Sequence, residues 1–221
     1  MRIFLDTANI DQIRQAAKLG IISGVTTNPT LVSKERTANY EATVKEICSI
    51  IPGPVSVEVL VEGVKPMIEQ AKLISSWAPN IVIKIPATLD GLEVTSALAK
   101  ENIKVNFTLC FSLNQALLGA LAGATYVSPF VGRLDDAGHN GMEVVKDIVD
   151  VFARYKLSTE VIAASIRHPQ HCVAAAKAGA HIATIPYNVL MQMIQHPLTD
   201  AGVARFLSDG QGVSPRGVKR P

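Results

Sequence analysis

Long apolar runs are missing from this 221-residue chain, although 48% of its residues are hydrophobic. Val105 to Gly132 carries no formal charge, but Asn106, Thr108, Ser112, Asn114 and Gln115 interrupt it. The stretch never approaches the roughly 18 apolar residues of a membrane span. Only Ile3-Phe4-Leu5 stand before Asp6, too few for the apolar part of a secretory signal. Charge is scarce as well, at 18% of residues with a net of +2 and both signs interspersed. That leaves no concentrated basic face for nucleic acid or an anionic membrane. A small anionic ligand needs only a few cations in one place and stays open. Cysteine is limited to Cys48, Cys110 and Cys172, an odd number with no CxxC or Cys/His spacing. Buried free thiols in a reducing compartment follow from that pattern. The five histidines, His139, His168, His171, His181 and His196, lack ligand spacing, so no metal site is expected. A soluble, cytoplasmic chain is the expectation.

What the chain does have is a repeating unit, in which a short β-branched run leads through a polar residue into a longer amphipathic stretch. Strand-like runs fall at Arg2–Asp6, Ile22–Thr26, Pro54–Val59, Ile81–Ile85, Lys104–Thr108, Ala124–Ser128, Glu160–Ser165 and His181–Ile185. Helical patterns fill the gaps at Asn9–Leu19, Asn39–Ile50, Gly63–Ser76, Gly91–Lys100, Leu113–Leu121, Met142–Arg154 and Gln170–Lys177. Spacings of roughly 20–35 residues suit strand–helix crossovers. Gly20, Gly123 and Gly179 stand where helices should end, as residues that tolerate positive φ. The pattern predicts one α/β domain over 1–221, a minimal (β/α)8 TIM barrel. A doubly wound open sheet is the alternative, but it normally needs fewer strands, and no GxGxxG follows the first run. Tyr187–His196 and Thr199–Leu207 predict post-barrel helices over 187–209, and 210–221 predicts a flexible tail.

Side chains alternate faces along a strand. If Lys84 points into the barrel, so do Val82, Ser56, Glu58, Asn106 and Thr108 on the neighbouring runs. The same choice turns Phe4, Asp6, Gly24, Thr26, Tyr126, Ser128, Ala163 and Ser165 inward. The last inward position is then polar on seven strands: Asp6, Thr26, Glu58, Lys84, Thr108, Ser128 and Ser165, with Thr184 on the eighth. Each unpaired buried polar group costs roughly 1–3 kcal/mol, so such a ring implies a purpose. In a barrel it would lie at the C-terminal mouth, where catalytic groups gather. Lys84, in Ile81-Val82-Ile83-Lys84-Ile85-Pro86, sits in a run too apolar for a surface strand. It could be a structural tie to a carboxylate such as Glu58 or Asp6. The ring favours the other reading, a desolvated amine neutral enough to attack a carbonyl.

Two stretches resemble the transaldolase family. Gly24-Val25-Thr26-Thr27-Asn28-Pro29-Thr30-Leu31-Val32 is similar to its first motif. Ile81-Val82-Ile83-Lys84-Ile85-Pro86-Ala87-Thr88-Leu89-Asp90-Gly91-Leu92 is similar to the second, which surrounds the Schiff-base lysine. Asn106–Ser112, Ser128–Arg133 and Ala164–Arg167 match further family segments in order. The length resembles the short subfamily that includes fructose 6-phosphate aldolases, which form decamers of two stacked pentamers. The resemblance implies a Schiff base on Lys84, proton transfer by Asp6, and water handling by Glu58 with Thr108. It also implies that Asn28, Asn106 and Ser128 bind the hydroxyls of a dihydroxyacetone unit. No cofactor is implied. Glu58, Ser128 and Phe130 are of transaldolase type, where the aldolases resemble them but carry Gln, Ala and Tyr.

Arg133 and Arg167 lie just past the sixth and seventh strands, and Ser165 ends the seventh. Fork-shaped guanidinium groups match phosphate oxygens, and this part of a barrel commonly binds phosphate. Thr26 and Thr27 read as structural. The expected activity is transfer of dihydroxyacetone between sugar phosphates, with a fructose 6-phosphate aldolase or a silent sugar-phosphate-binding protein as alternatives.

Overall fold

Stiff β-branched side chains suit a pleated surface covered on both faces, and the runs rich in them form the strands. The structure, a computed structural model, describes residues 1–35 and 39–210, with Lys34 by its backbone alone. The strands are β1 (Arg2–Asp6), β2 (Ile22–Thr26), β3 (Val55–Glu58), β4 (Ile81–Pro86), β5 (Val105–Cys110), β6 (Tyr126–Pro129), β7 (Glu160–Ala163) and β8 (Ile182–Ile185). Each pairs in parallel with the next, and β8 closes on β1, which completes an eight-stranded barrel. Around it run α1 (Ile10–Ala17), α2 (Pro29–Lys34), α3 (Tyr40–Ile50), α4 (Val64–Ser75), α5 (Leu89–Lys100) and α6 (Leu113–Leu121). They are followed by α7 (Val131–Asp136), α8 (Gly141–Tyr155), α9 (Pro169–Lys177), α10 (Tyr187–Met193) and α11 (Pro197–Asp209). This is the TIM barrel with added C-terminal helices that the repeat predicts. Of the tail expected over 210–221, Gly210 caps α11, and residues 211–221 lie outside the described residues.

Helix ends follow local chemistry. The side chains of Asn9, Asn39, Thr88, Ser112 and Asn140 each accept a backbone N–H of the first turn. Gly20, Gly123 and Gly179 adopt φ of 69°, 96° and 80° after their helices, as expected. Two short helices are absent from the sequence reading. In α2 the Asn28-Pro29 pair, which reads as a turn, caps a helix: Asn28 Oδ1 accepts the Leu31 N–H at 2.9 Å. α7 begins without any side-chain cap and spans only six residues, too few to display a period.

The apolar core has two layers. The larger packs the outward strand faces, including Leu5, Ile83, Ile85 and Phe107, against the helices. Cys48, Cys110 and Cys172 are buried free thiols, and burial pushes the Cys48 and Cys110 thiols up to about 11. The smaller layer is a plug inside the barrel: Phe4, Val82, Tyr126, Ile162 and Ile182. Phe4 and Tyr126 meet edge to face, with ring centroids 6.3 Å apart. The Phe4 ring lies across β2 where Gly24 has no side chain. A Cβ there would come within 2.7 Å of the ring and 2.6 Å of the Pro54 carbonyl. Beneath the plug, Arg2 and Glu160 form an ion pair.

The predicted inward faces hold on seven strands, and β7 alternates in the opposite phase. Ile162, not Ala163, belongs to the interior plug, and Ala163 packs outward. Ser165 therefore does not reach the mouth by strand parity. The strand ends at Ala163, Ala164 bridges to Phe130, and Ser165 takes φ +59°. That left-handed turn brings Ser165 to the cavity.

Candidate active site

The plug forms the floor of a cavity of about 220 Å³ at the C-terminal mouth. Strand register decides what stands above the floor. Glu58 is paired with Lys84, and Lys84 with Asn106, so three polar side chains from β3, β4 and β5 face inward side by side. Lys84 is 5% exposed, with Ile83 and Ile85 fully buried on either side. Its Nζ donates to Glu58 Oε2 and to the Thr27 carbonyl, both at 3.0 Å. Those contacts hold the amine at the cavity wall with a carboxylate in position to take its proton.

Asp6 faces Lys84 across the cavity from the end of β1. Burial raises its carboxyl above the ordinary range, opposed by the Thr26 hydroxyl and the Lys84 charge. Thr26 Oγ1 donates to Asp6 Oδ1 at 2.7 Å and lies 2.6 Å from Thr184 Oγ1. A hydroxyl has one proton, so Thr184 donates to Thr26 and Thr26 to Asp6. A carboxyl raised above its ordinary range can give and take a proton within one cycle.

Thr108 Oγ1 is fully buried at the cavity edge and has no hydrogen-bond partner among the described residues. A buried orphan hydroxyl at a polar cavity is a place for a ligand hydroxyl or a water. Ser128 Oγ donates to Asn106 Oδ1 at 2.6 Å, and Asn106 Nδ2 donates to Ser56 Oγ at 3.2 Å. Phe130 packs edge-on against Phe111, and the Arg133 guanidinium sits 5.0 Å from its ring centroid. Arg133, Ser165 and Arg167 border the end of the cavity near β6 and β7. Arg167 Nη2 donates to Asp136 Oδ2 at 2.8 Å.

Nine of the eleven residues singled out from the sequence thus line one cavity: Asp6, Asn28, Lys84, Thr108, Ser128, Phe130, Arg133, Ser165 and Arg167. Glu58 and Asn106 join through their bonds to Lys84 and Ser128. A sequence profile described as Transaldolase/Fructose-6-phosphate aldolase matches residues 3–213, the whole barrel and the helices after it. The chain belongs to that family. Relatives with the name "Probable transaldolase" resemble it closely. That of Dehalococcoides mccartyi is 61% identical, covering 96% of this chain and 99% of its own. Those of Desulforudis audaxviator and Heliobacterium modesticaldum are 60% and 57% identical over 95% and 96% of this chain, and 97% and 99% of their own. The protein is an enzyme of the transaldolase family. A thiamine phosphate pyrophosphorylase from Pyrococcus furiosus superposes with a TM-score of 0.58 at 16% identity, over 84% of this chain and 85% of the other. That likeness concerns the barrel fold alone.

In this transaldolase-family enzyme, sequence reasoning undervalued Thr26 and Thr184. Thr26 is more than a structural residue, because its only proton goes to Asp6. The available signal was register: Asp6 pairs with Thr26, and Phe4 with Thr184. Asp136 was also missed, because α7 itself was not foreseen. Thr27 keeps its structural reading, with Oγ1 on the Ser56 carbonyl and its own carbonyl on Lys84.

Proposed function

We propose that this enzyme is a transaldolase that moves a dihydroxyacetone unit from a ketose phosphate to an aldose phosphate. Fructose 6-phosphate or sedoheptulose 7-phosphate is the donor, and erythrose 4-phosphate or glyceraldehyde 3-phosphate the acceptor. The reaction belongs to the cytoplasmic, non-oxidative branch of pentose phosphate metabolism. The observation that carries the reading is the Lys84–Glu58 pair at 3.0 Å in an apolar wall, with Asp6 opposite.

The ketose enters with C2 beside Lys84 and its phosphate toward Arg133, Ser165 and Arg167. Glu58 takes a proton from the ammonium, and the neutral nitrogen adds to C2. The carbinolamine hydroxyl leaves as water, with the proton delivered from Glu58 through a water held by Thr108. Asp6 removes the C4 hydroxyl proton while the C3–C4 bond breaks, and its electrons settle into the iminium to form an enamine. The aldose phosphate departs. Asn28, Asn106 and Ser128 hold the hydroxyls of the three-carbon unit left on Lys84. A second aldose phosphate arrives, the enamine attacks its carbonyl carbon, and Asp6 returns the proton to the new hydroxyl. Iminium hydrolysis releases the product ketose.

A fructose 6-phosphate aldolase is the second reading, and Phe130 weighs against it. Releasing free dihydroxyacetone requires protonation of the enamine at C3, and the Phe130 ring has no proton to give. Phe130→Tyr is expected to raise dihydroxyacetone release relative to transfer by at least severalfold, and an unchanged ratio contradicts this role. The reading as a whole is tested by incubating fructose 6-phosphate with erythrose 4-phosphate. Formation of glyceraldehyde 3-phosphate dependent on the acceptor supports transfer. Acceptor-independent dihydroxyacetone points to the aldolase, and sugar-phosphate binding without turnover to a silent binding protein.

We further propose a homo-oligomer, a decamer of two pentamers. α11 buries none of its residues in the single chain, and Leu198, Phe206 and Leu207 are each more than two-thirds exposed. Such an apolar helix fits a neighbouring copy.

A further inference from the structure

The phosphate end of the cavity contains a set of contacts that the chemistry on Lys84 leaves unused. α7 provides Arg133, Asp135 and Asp136, and the loop from β7 into α9 provides Ser165, Arg167 and His168, with His171 in the first turn of α9. The Gly132 N–H donates to the Ser165 carbonyl at 3.1 Å. A Cβ on Gly132 would fall 2.3 Å from that carbonyl oxygen and 2.6 Å from Arg167 Nε, so only glycine allows this approach. His171 Nε2 lies 3.1 Å from Asp135 Oδ2, and Asp135 Oδ1 accepts the Gly141 N–H at 2.8 Å. These contacts make α7 and the loop one piece of structure.

His171 is the pivot of that piece. Its side chain is 13% exposed, and Nδ1 accepts the Arg167 backbone N–H at 3.3 Å. Nδ1 therefore carries no proton, and Nε2 carries the ring proton that Asp135 accepts. Two bonds of opposite sense select one neutral tautomer. The charged and titratable groups facing the ring are Asp135 from α7, and His168 and Arg167 from its own loop. The His168 ring is tilted against it at 3.8 Å between centroids. Burial, His168 and Arg167 lower the tendency of His171 to ionise, and Asp135 opposes them. A proton on Nδ1 would turn the acceptor of the Arg167 amide into a second donor.

We propose that His171, oriented by Asp135, is a positioning residue that pins the Arg167 backbone so that Arg167 and Ser165 converge with Arg133 on a phosphate monoester. The inference rests on reading this end of the cavity as the phosphate site. The Arg167–Asp136 pair, about half exposed on the arginine side, is an exchangeable surface contact. Arg167 can thus trade its carboxylate for phosphate while the backbone stays fixed. Acidification that protonates His171 frees the backbone and weakens phosphate binding.

The test compares the intact wild-type protein with His171→Asn and His171→Phe, by calorimetry with inorganic phosphate at about pH 8 and at a lower pH where NMR shows the His171 ring protonated. Asparagine keeps an acceptor at the Nδ1 position that does not titrate, and phenylalanine keeps the ring without it. The ionisation of phosphate itself is common to all three proteins and cancels in their ratios. The expected results are wild-type affinity for His171→Asn at the higher pH and affinity about tenfold weaker for His171→Phe at both. At the lower pH, His171→Asn should bind phosphate more tightly than the wild type. KM for fructose 6-phosphate should follow, while kcat/KM for unphosphorylated fructose stays within about twofold. Equal phosphate affinity in all three proteins overturns the role of His171 and leaves the transaldolase reading standing. So does an equal loss with fructose, which would mark a general packing defect. Wild-type protein that binds no phosphate overturns the phosphate site and the inference together. Should His171→Phe not fold, the wild type to His171→Asn ratio at the two pH values decides alone.

Discussion

Lys84 and Asp6 face each other across one cavity, but their surroundings treat them differently. Lys84 spends its contacts on Glu58 and a carbonyl, which hold its nitrogen still. Asp6 is displaced from its ordinary value of 3.8 chiefly by burial. A carboxyl raised on folding keeps its proton to higher pH than in the unfolded chain. Its favourable contribution is therefore present in acid and lost as the pH climbs from about 3.8 through the raised value. Above that raised value the ionised, buried Asp6 works against folding. Asp6→Asn should melt higher by about 2–4 °C per kcal/mol regained, while carbon–carbon cleavage falls by at least about a hundredfold. A lower melting temperature at neutral pH contradicts this assignment. At this scale Lys84, Thr108 and Ser128 were legible, because a polar residue in an apolar strand announces itself. The Thr184–Thr26–Asp6 chain was not, since it joins three strands and depends on their relative stagger.

The elements show where alternation can be trusted. Seven strands keep their predicted inward faces, whereas β7 alternates in the opposite phase. β7 stops after four residues, and Ser165 reaches the site through a left-handed turn that no count of two anticipates. α2 and α7 escaped notice for a related reason: six residues with one cap or none leave no periodic trace. Both carry site residues at their starts, Asn28 and Arg133. Packing between β1 and β2 makes a test of the barrel floor. Gly24→Ala drives a methyl group into the Phe4 ring and the Pro54 carbonyl. The expected cost is about 1–3 kcal/mol, read as a lower denaturant midpoint with an unchanged slope. An unaltered midpoint would mean that Phe4 does not lie across β2.

On the scale of the whole molecule, the barrel is complete but its last helix is unmatched. The repeat of eight runs was enough to anticipate a closed parallel sheet, because eight strands each leading into a helix suit few other arrangements. Assembly left no comparable pattern, since an exposed apolar stripe on α11 looks in sequence like any amphipathic helix. Light scattering should give a mass near that of ten 23.6-kDa chains. Phe206→Asp, which places a charge on the exposed face of α11, should reduce it. A monodisperse single chain in the wild type contradicts the assembly.

The transfer reading depends on a covalent bond between Lys84 and the donor ketose. Borohydride reduction in the presence of fructose 6-phosphate, followed by peptide mass spectrometry, measures that bond directly. One reduced three-carbon unit on the peptide containing Lys84, absent without the sugar and absent in Lys84→Met, is the predicted result. A label on another lysine, or transfer activity that survives in Lys84→Met, would contradict the account.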